Sequence, residues 1–224
     1  MKKLFLTVSF IVSIVLSVSA QGSGSATGQA NYIQVITKRA DKIVQALALT
    51  DSAKYKRVRD IIVNQYNVLS NIHDTRDAKV KDIKTQAGDD KAKANAQVAS
   101  VDSTVDIQLG QAHKLYIAKL GTELNTEQID EVKDQMTYKI LPLTYNAYLD
   151  ELPNLTTDQK AQIKAWLVEA REHAIDAGSS EKKHEWFGKY KGRINNYLSK
   201  QGYDMKKAGE EWQKRIKERQ VQNG

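Results

Sequence analysis

The stretch VRDIIVNQYNVLSNI, residues 58–72, decides the fold class of this chain. Its apolar side chains recur every three or four residues, and this spacing places them along one side of an α-helix. The same spacing returns further along the chain, at Val98, Val101, Val105, Leu109, Ala112, Tyr116 and Leu120. Gly88, Asp89 and Asp90 interrupt the pattern between the two stretches. The sequence therefore predicts two long helices that pair antiparallel as an extended hairpin.

Residues that favour helix starts mark the remaining elements. Apolar residues between positions 33 and 47 form one helical stripe, and Thr50 is predicted to cap the helix that follows. Asn125 with Gln128, and Thr156 with Gln159, have the residue types and spacing of capping boxes, which predict two further helix starts. Ser180 is predicted to cap the next helix, which extends to about residue 200.

Prolines and glycines mark the helix ends. Pro142 suits the first turn of a short helix, and Pro153 marks its exit. Gly178 and Gly202 are predicted to stop the two helices that precede them. A final helix follows Gly202, and no segment shows the alternation of a strand. We therefore predict an all-α protein, a multi-helix bundle with a long antiparallel helical hairpin and shorter C-terminal helices.

The first part of the chain has the layout of a secretory signal peptide. Lys2 and Lys3 precede an apolar run, and small residues precede position 21. We predict a signal peptide over residues 1–20, a flexible Gly- and Ser-rich lead-in over residues 21–30, and one helical domain over residues 31–220. The mature protein is expected in the periplasm or outside the cell. It is expected to carry no lipid anchor, because the chain has no cysteine, and no transmembrane segment.

Basic residues are concentrated near the C-terminal end. The whole chain has a formal net charge of +7, and residues 181–220 alone contain 12 Lys and Arg against 6 Asp and Glu. A basic face attracts anionic partners through its long-range field. In a secreted protein, an acidic oligosaccharide or an anionic membrane surface fits this charge better than nucleic acid does. A solvated, lysine-rich helix face is the alternative interpretation.

The same region contains the candidate binding site, in REHAIDAGSSEKKHEWFGKYKGRINNYL, residues 171–198. On a helix, Phe187, Tyr190, Ile194, Tyr197 and Leu198 share the core side, and Trp186, Lys189, Arg193 and Asn196 form a neighbouring stripe. Aromatic rings stack on sugar rings, whereas Arg and Asn hydrogen-bond hydroxyls or carboxylates. The candidate ligand-binding residues are Arg171, Glu172, His184, Trp186, Lys189, Tyr190, Arg193, Asn196, Tyr138 and Tyr145.

Two glycines, Gly188 and Gly192, occupy the middle of this predicted helix. A glycine inside a helix costs about 1 kcal/mol relative to alanine. Two of them on one side indicate that something approaches the backbone closely. Either another helix or a ligand would meet this requirement.

No motif in the chain specifies a reaction. There is no cysteine nucleophile, no GxSxG, no HExxH and no phosphate loop. Glu181 and His184 form a single ExxH, whereas a di-iron bundle needs two. We therefore expect no metal and no cofactor. The residue types that a uronate lyase would use are nevertheless present, as Arg171, Glu172, His184, Tyr190 and Arg193.

Short motifs resemble those of periplasmic stress chaperones. LTTDQ, residues 155–159, is similar to the LTxxQ signature of the Spy-like and CpxP-like proteins. LNTEQ, residues 124–128, differs from it by Asn in place of Thr, and Leu49-Thr50 begins a third copy that lacks the Gln. The likeness implies a small, all-helical periplasmic chaperone, and it covers a few residues in each copy.

Longer stretches resemble a secreted Bacteroidota family, domain of unknown function 3826. They are LTDSAKYKRVRDIIVNQY, NIHDTRD, MTYKILPLTYNAY, LVEAREHAIDAGSSEKKHEWFGKYKGRINNYLS and GYD. The most specific block is WFGKYKGRIN, residues 186–195. The resemblance implies a secreted helical protein with a sugar-binding role, encoded near genes for polysaccharide degradation, pectin systems included. It assigns no catalytic residue.

The sequence supports three hypotheses for the function. The first is a secreted or periplasmic accessory protein that binds carbohydrate, an acidic, pectin-like one included, in polysaccharide utilisation. A chaperone-like protein with a protein partner is the second, and an enzyme acting on oligosaccharides is the third. A cleft that exposes Trp186, Arg193 and Arg171 would favour the first, and a broad apolar concavity the second. A deep pocket around a buried His184 or Glu172 would favour the third.

Overall fold

In a computed structural model of the chain, the described residues form eight α-helices and no strand. Secondary structure is described for residues 23–222 and side chains for residues 28–221. The helices are α1 (Ser23–Gln45), α2 (Ser52–Ala87), α3 (Lys91–Gly121), α4 (Thr126–Met136), α5 (Ile140–Glu151), α6 (Thr157–Ile175), α7 (Ser180–Lys200) and α8 (Met205–Gln222). The predicted all-α class is confirmed. The predicted signal peptide, residues 1–20, lies outside the described residues.

The chain divides into two units, the first ending at Val35 and the second beginning at Ile36. In the first unit, α1 begins at Ser23, inside the segment 21–30 for which the composition predicts a flexible lead-in. Alanine and glutamine, which favour helix, occur there among the glycines and serines. The helix therefore starts earlier than the Gly and Ser content indicates. The elements described below belong to the second unit.

The long hairpin consists of α2 and α3. Arg57 pairs with Glu123, with 2.7 Å between Nε and Oε1, and Arg76, further along α2, pairs with Asp102 at 2.8 Å between Nε and Oδ1. As the position on α2 advances, the partner's position retreats, so the two helices are antiparallel. Gly88 makes the turn at the tip with a φ of 53°, a backbone conformation that favours glycine. The predicted hairpin is confirmed.

One apolar core lies at the open end of the hairpin and combines residues from α1 to α4. Its buried members are Ala40, Ile43, Val44, Val58, Ile62, Tyr116, Leu120, Leu124, Val132 and Met136. The side chains that the helical spacing assigns to the inner faces of α2 and α3 are thus among those removed from water, where burial of apolar surface stabilises the fold.

A second apolar core lies between α5, α6 and α7. Its buried members are Leu141, Tyr148, Leu152, Leu155, Ile163, Leu167, Ala170, Ala174, Phe187, Tyr190, Ile194 and Leu198. The hydroxyl of Tyr148 donates to Oδ1 of Asn195 at 2.6 Å, which also ties α5 to α7. The predicted core stripe of α7 is confirmed, and the outer side of this helix is left for other contacts.

The predicted caps are mostly correct, and two are displaced by one residue. Both capping boxes are present, at the starts of α4 and α6. Asp51 rather than Thr50 caps α2, because its carboxylate accepts hydrogen bonds from the backbone N–H groups of Ala53 and Lys54. Ser179 rather than Ser180 caps α7 by accepting from the N–H of Lys182.

The end of α6 also differs from the prediction. The helix stops at Ile175, before Gly178 is reached, and the ammonium of the buried Lys183 donates to the carbonyl oxygens of Ala174 and Ile175 at 3.0 Å each. Gly178 is needed for another reason. A Cβ at that position would lie 2.7 Å from Cγ of His73, so only glycine lets α2 approach this loop.

Candidate functional site

A cleft of about 1070 Å³ lies where α2 and α3 face the end of α6 and the first half of α7. Its walls combine aromatic, cationic and acidic side chains, among them His73, Arg76, Asp102, Asp106, His113, Lys114, Glu172, His173, Asp176, Lys182, Glu185, Trp186 and Lys189. Three of the predicted ligand-binding residues, Glu172, Trp186 and Lys189, line this cleft.

Trp186 is half-buried in the cleft wall, and other side chains cover its ring. The imidazole of His173 stacks on the indole, with 4.3 Å between ring centroids and 13° between the ring planes. The Nζ atom of Lys189 lies 4.9 Å from the indole centroid. The exposed ring that sugar stacking would use is therefore partly occupied, and an approaching ligand meets the Lys189 ammonium together with the indole.

Arg171 does not line the cleft, because it is buried against α4. Its Nη2 atom donates to Oδ1 of Asp130 at 2.6 Å, and its Nη1 atom donates to Oδ1 of Asp134 at 2.9 Å. The carboxylate of Glu172 lies 3.3 Å from the same guanidinium. Arg171 thus holds α6 to α4 and is wrongly predicted as a residue of the cleft surface.

Glu172 extends this network toward α3. Its carboxylate pairs with Nζ of Lys133 at 2.9 Å and lies 3.4 Å from Nε2 of His113. Burial by itself would raise the pKa of Glu172, but the hydrogen bonds with His113 and Lys133 outweigh it and lower the pKa to about 2. Glu172 is therefore a fixed anion at neutral pH.

His113 of α3 lies between two carboxylates. Its Nδ1 atom is 2.7 Å from Oδ2 of Asp176, the residue that ends α6, while Nε2 faces Glu172. Hydrogen bonds to Asp176 and Glu172 raise the pKa of His113 to about 9, against the opposing effect of burial. An ion cluster thus joins α3 and α4 to α6, formed by Arg171, His113, Lys133, Asp130, Asp134, Glu172 and Asp176.

A smaller groove, of about 580 Å³, lies over α6 and the second half of α7. It is lined by Trp166, Lys189, Gly192, Arg193, Asn196, Tyr197 and Lys200. The guanidinium carbon of Arg193 lies 4.6 Å from the ring centroid of Trp166, and Tyr197 meets the same ring edge to face at 5.2 Å. Three predicted ligand-binding residues, Lys189, Arg193 and Asn196, meet in this groove.

Six residues connect the cleft and the groove along one side of α7. They are Lys182, Trp186, Lys189, Arg193, Asn196 and Lys200, which together form the α7 stripe. Their spacing alternates between four and three residues, so they share one side of the helix. Lys189 lines both cavities, and all six side chains except the half-buried Trp186 are exposed. The α7 stripe contains four cations and no carboxylate.

Gly188 and Gly192 lie beside the α7 stripe in open space. A Cβ added at either position would meet no atom within 4 Å. Close packing against another helix, one of the two explanations for these glycines, is therefore wrong within the described part of the chain. Each glycine still costs about 1 kcal/mol of helix stability relative to alanine, and no internal contact there explains it.

The remaining predicted residues lie outside both cavities. Tyr190 is buried in the second core, and Tyr145 packs against the same core. His184 is exposed at the start of α7, where its ring stacks on Tyr138 with 5.6 Å between centroids. The predicted aromatic patch therefore reaches α7 through Tyr138, but away from Trp186. The five residues that a lyase would use do not converge.

Several residues of the site were missed by the sequence analysis. Trp166 lies in α6, Asp176 ends the same helix and His113 lies in α3, and none stands in a motif that names a site. One feature of the sequence could have indicated the ion cluster. Asp130, Lys133 and Asp134 recur at helical spacing along the inner side of α4, and charged residues rarely face a packed helix without partners.

No group of three His, Asp or Glu side chains in the described part of the chain is arranged to hold a metal ion. Within the same residues, no helix is long and apolar enough to cross a bilayer.

The fold and the site define an all-helical protein with a charged, aromatic-lined cleft and an adjoining basic groove. The chain belongs to the family of proteins of unknown function DUF3826, whose model matches residues 33–218. The resemblance to this family that the sequence indicates is thereby confirmed. Among curated proteins, none matches the chain.

Proposed function

We propose that this protein binds an acidic carbohydrate, and that the α7 stripe with its cleft and groove is the binding surface. The accessory role in polysaccharide utilisation, in the periplasm or outside the cell, is part of the same proposal. The observation that carries it is the α7 stripe, which presents four exposed cations beside two indole rings on one side of a helix.

The side chains of the α7 stripe complement the groups of an acidic sugar. The planar guanidinium of Arg193 can donate two parallel hydrogen bonds to one carboxylate. Lys189 and Lys200 add compact positive charges, and Asn196 can both donate to and accept from hydroxyl groups. Trp166 and Trp186 each have a cation over the ring, and each can add apolar surface against the C–H groups of a sugar beside that cation.

The charges of the α7 stripe are available to a ligand, unlike those of the ion cluster. Arg193 faces one carboxylate, that of Glu169, at 3.5 Å, and both side chains are about half exposed. Such a surface pair contributes little to the stability of the fold, on the order of 0–1 kcal/mol. Replacing Glu169 with a ligand carboxylate therefore removes little stability from the protein.

Isothermal titration of residues 21–224 tests the proposal directly. The ligands are galacturonic acid oligomers, neutral oligosaccharides of the same lengths and oligoglutamate. We expect the acidic oligosaccharide to bind, with an affinity that falls as salt rises. Trp186→Ala is expected to weaken binding at least about tenfold, the equivalent of 1.4 kcal/mol. Trp212→Ala on α8, with folding checked by circular dichroism, is the matched control.

Three results would contradict the proposal. Absence of heat with every oligosaccharide would remove carbohydrate recognition and favour a protein partner, as for a chaperone. Equal affinity for oligoglutamate would show that charge alone decides binding. Shortened oligosaccharides in the recovered samples, detected by chromatography, would assign the protein to the enzymes.

A further inference from the structure

We infer that the cleft and the groove are two subsites of one elongated track, in which the groove holds a carboxylate and the cleft holds an uncharged, hydroxyl-rich part of the same chain. This inference rests on the proposed function and adds the class of ligand. The ligand is an extended acidic oligosaccharide rather than a single uronic acid.

The two cavities adjoin along α7. Lys189 lines both of them, and the α7 stripe extends from Lys182 in the cleft to Lys200 in the groove. At a rise of about 1.5 Å per residue, this stretch of helix is about 27 Å long. A single sugar ring covers a fraction of that length, whereas an oligosaccharide of several units can contact it throughout.

The two cavities differ in charge. Lys189, Arg193 and Lys200 line the groove; among the described residues no carboxylate lines it, and the carboxylate of Glu169 lies beside it, 3.5 Å from Arg193. Five carboxylates line the cleft, those of Asp102, Asp106, Glu172, Asp176 and Glu185, and they offset its cations, Arg76, His113, Lys114, Lys182 and Lys189. A bound carboxylate is therefore attracted in the groove and gains no comparable attraction in the cleft. Hydroxyl groups, which both donate and accept, suit the mixed lining of the cleft.

Charged partners hold two of the cleft carboxylates in place, which sustains this difference. Glu172 is held ionised by His113 and Lys133, and Asp102 pairs with Arg76 at 2.8 Å. Hydrogen bonds with charged partners fix these side chains in place. The balance of charges in the cleft is therefore built into the packing of α3 against α2 and α6.

Gly192 lies at the point where the groove opens along α7. It lines the groove, and a Cβ there would meet no atom of the protein within 4 Å. Because glycine has no side chain, the groove is deeper between Lys189 and Asn196. A sugar chain can therefore pass close to the helix backbone there. This use accounts for a mid-helix glycine that packing leaves unexplained.

Titration against galacturonic acid, against a hexamer that carries one terminal galacturonic acid on a neutral chain (the acidic hexamer), and against the corresponding neutral hexamer tests the inference. We expect the affinity to rise at least about tenfold from monomer to hexamer, which corresponds to one additional charge-assisted contact. Arg193→Ala and Lys200→Ala are each expected to weaken binding of the acidic hexamer by about tenfold and to leave the neutral hexamer unchanged.

Lys191→Ala is the matched control, because it removes the same charge from another side of α7 and from neither cavity. It should leave every affinity within about twofold, as expected for an exposed charge without a contact. Equal affinities for monomer and hexamer, or equal losses for acidic and neutral hexamers in Arg193→Ala, would overturn the two-subsite track while leaving Trp186-dependent binding intact. Absence of any binding by the wild-type protein would overturn the proposed function as well.

Discussion

The ion cluster and the α7 stripe use the same residue types in opposite ways. The side chain of Arg171 is 5% exposed and faces three carboxylates, whereas that of Arg193 is 53% exposed and faces one at 3.5 Å. Buried charges must be compensated within the protein, because losing hydration is costly. Exposed charges carry no such requirement and remain available to a partner. The comparison separates residues that hold α3, α4 and α6 together from residues that can bind a ligand.

Among substitutions that test this comparison, Arg171→Ala is expected to have the largest effect on stability. The substitution leaves Asp134, whose side chain is 16% exposed, without its cation, and removes the hydrogen bonds of Arg171 to Asp130 and Asp134. We expect the free energy of unfolding to fall by about 3–5 kcal/mol, as is typical when one partner of a buried ion pair is lost. Urea unfolding measures it, with Arg193→Ala as the control, for which a change below about 1 kcal/mol is expected.

The next effect is a pH dependence that arises from His113. Its pKa of about 9 lies above the ordinary value of 6.5, so it stabilises the fold fully below pH 6.5 and progressively less as pH rises through 9. The shift corresponds to about 3 kcal/mol. We expect the difference in unfolding free energy between wild type and His113→Gln to shrink over this interval.

Comparing wild type with His113→Gln also cancels the contribution of the buried Lys183 to the pH dependence of stability. Burial lowers the pKa of Lys183 to about 8 from its ordinary 10.5, so its neutralisation in the folded state adds stability as pH rises from 8 to 10.5. This trend has the opposite sign and is common to both proteins. A difference that stays constant between pH 6.5 and 9 would contradict the ion-pair role of His113.

The smallest effect on the free energy of unfolding is expected for Gly192→Ala, and this substitution is expected to stabilise the fold. The new Cβ meets no atom within 4 Å, so we expect a gain of about 0.5–1 kcal/mol in unfolding free energy from better helix propensity. The same substitution should weaken oligogalacturonate binding, because the methyl group lies in the groove. A variant that is more stable and binds equally well would show that no ligand approaches this backbone.

The fold was predictable because its signals are local. The apolar spacing of α2 and α3 and the two capping boxes each lie within a few turns of helix, and the structure confirms them. The displaced caps at Asp51 and Ser179 show the limit of this approach. Two adjacent residues can both accept the hydrogen bond, and the packing of the helix decides between them.

The site was predictable only in part. The α7 stripe could be read from one helix, and Trp186, Lys189, Arg193 and Asn196 do lie together. The ion cluster could not, since Arg171 and Asp130 are 41 positions apart and His113 and Asp176 are 63 apart. Charged residues in a basic, aromatic segment look alike in sequence. Tertiary packing alone decides that Arg171 faces inward and Arg193 outward.

A nuclear magnetic resonance titration of the isotope-labelled protein with the acidic hexamer, one terminal galacturonic acid on a neutral chain, tests the central claim most directly. Gly188 and Gly192 lie beside the α7 stripe, and the backbone amides of α7 report on any ligand that contacts it. The account predicts that chemical-shift changes concentrate from Lys182 to Lys200 and on the neighbouring Trp166, and leave Lys133 and Asp130 unaffected. Saturable changes centred elsewhere, or none on α7, would contradict it.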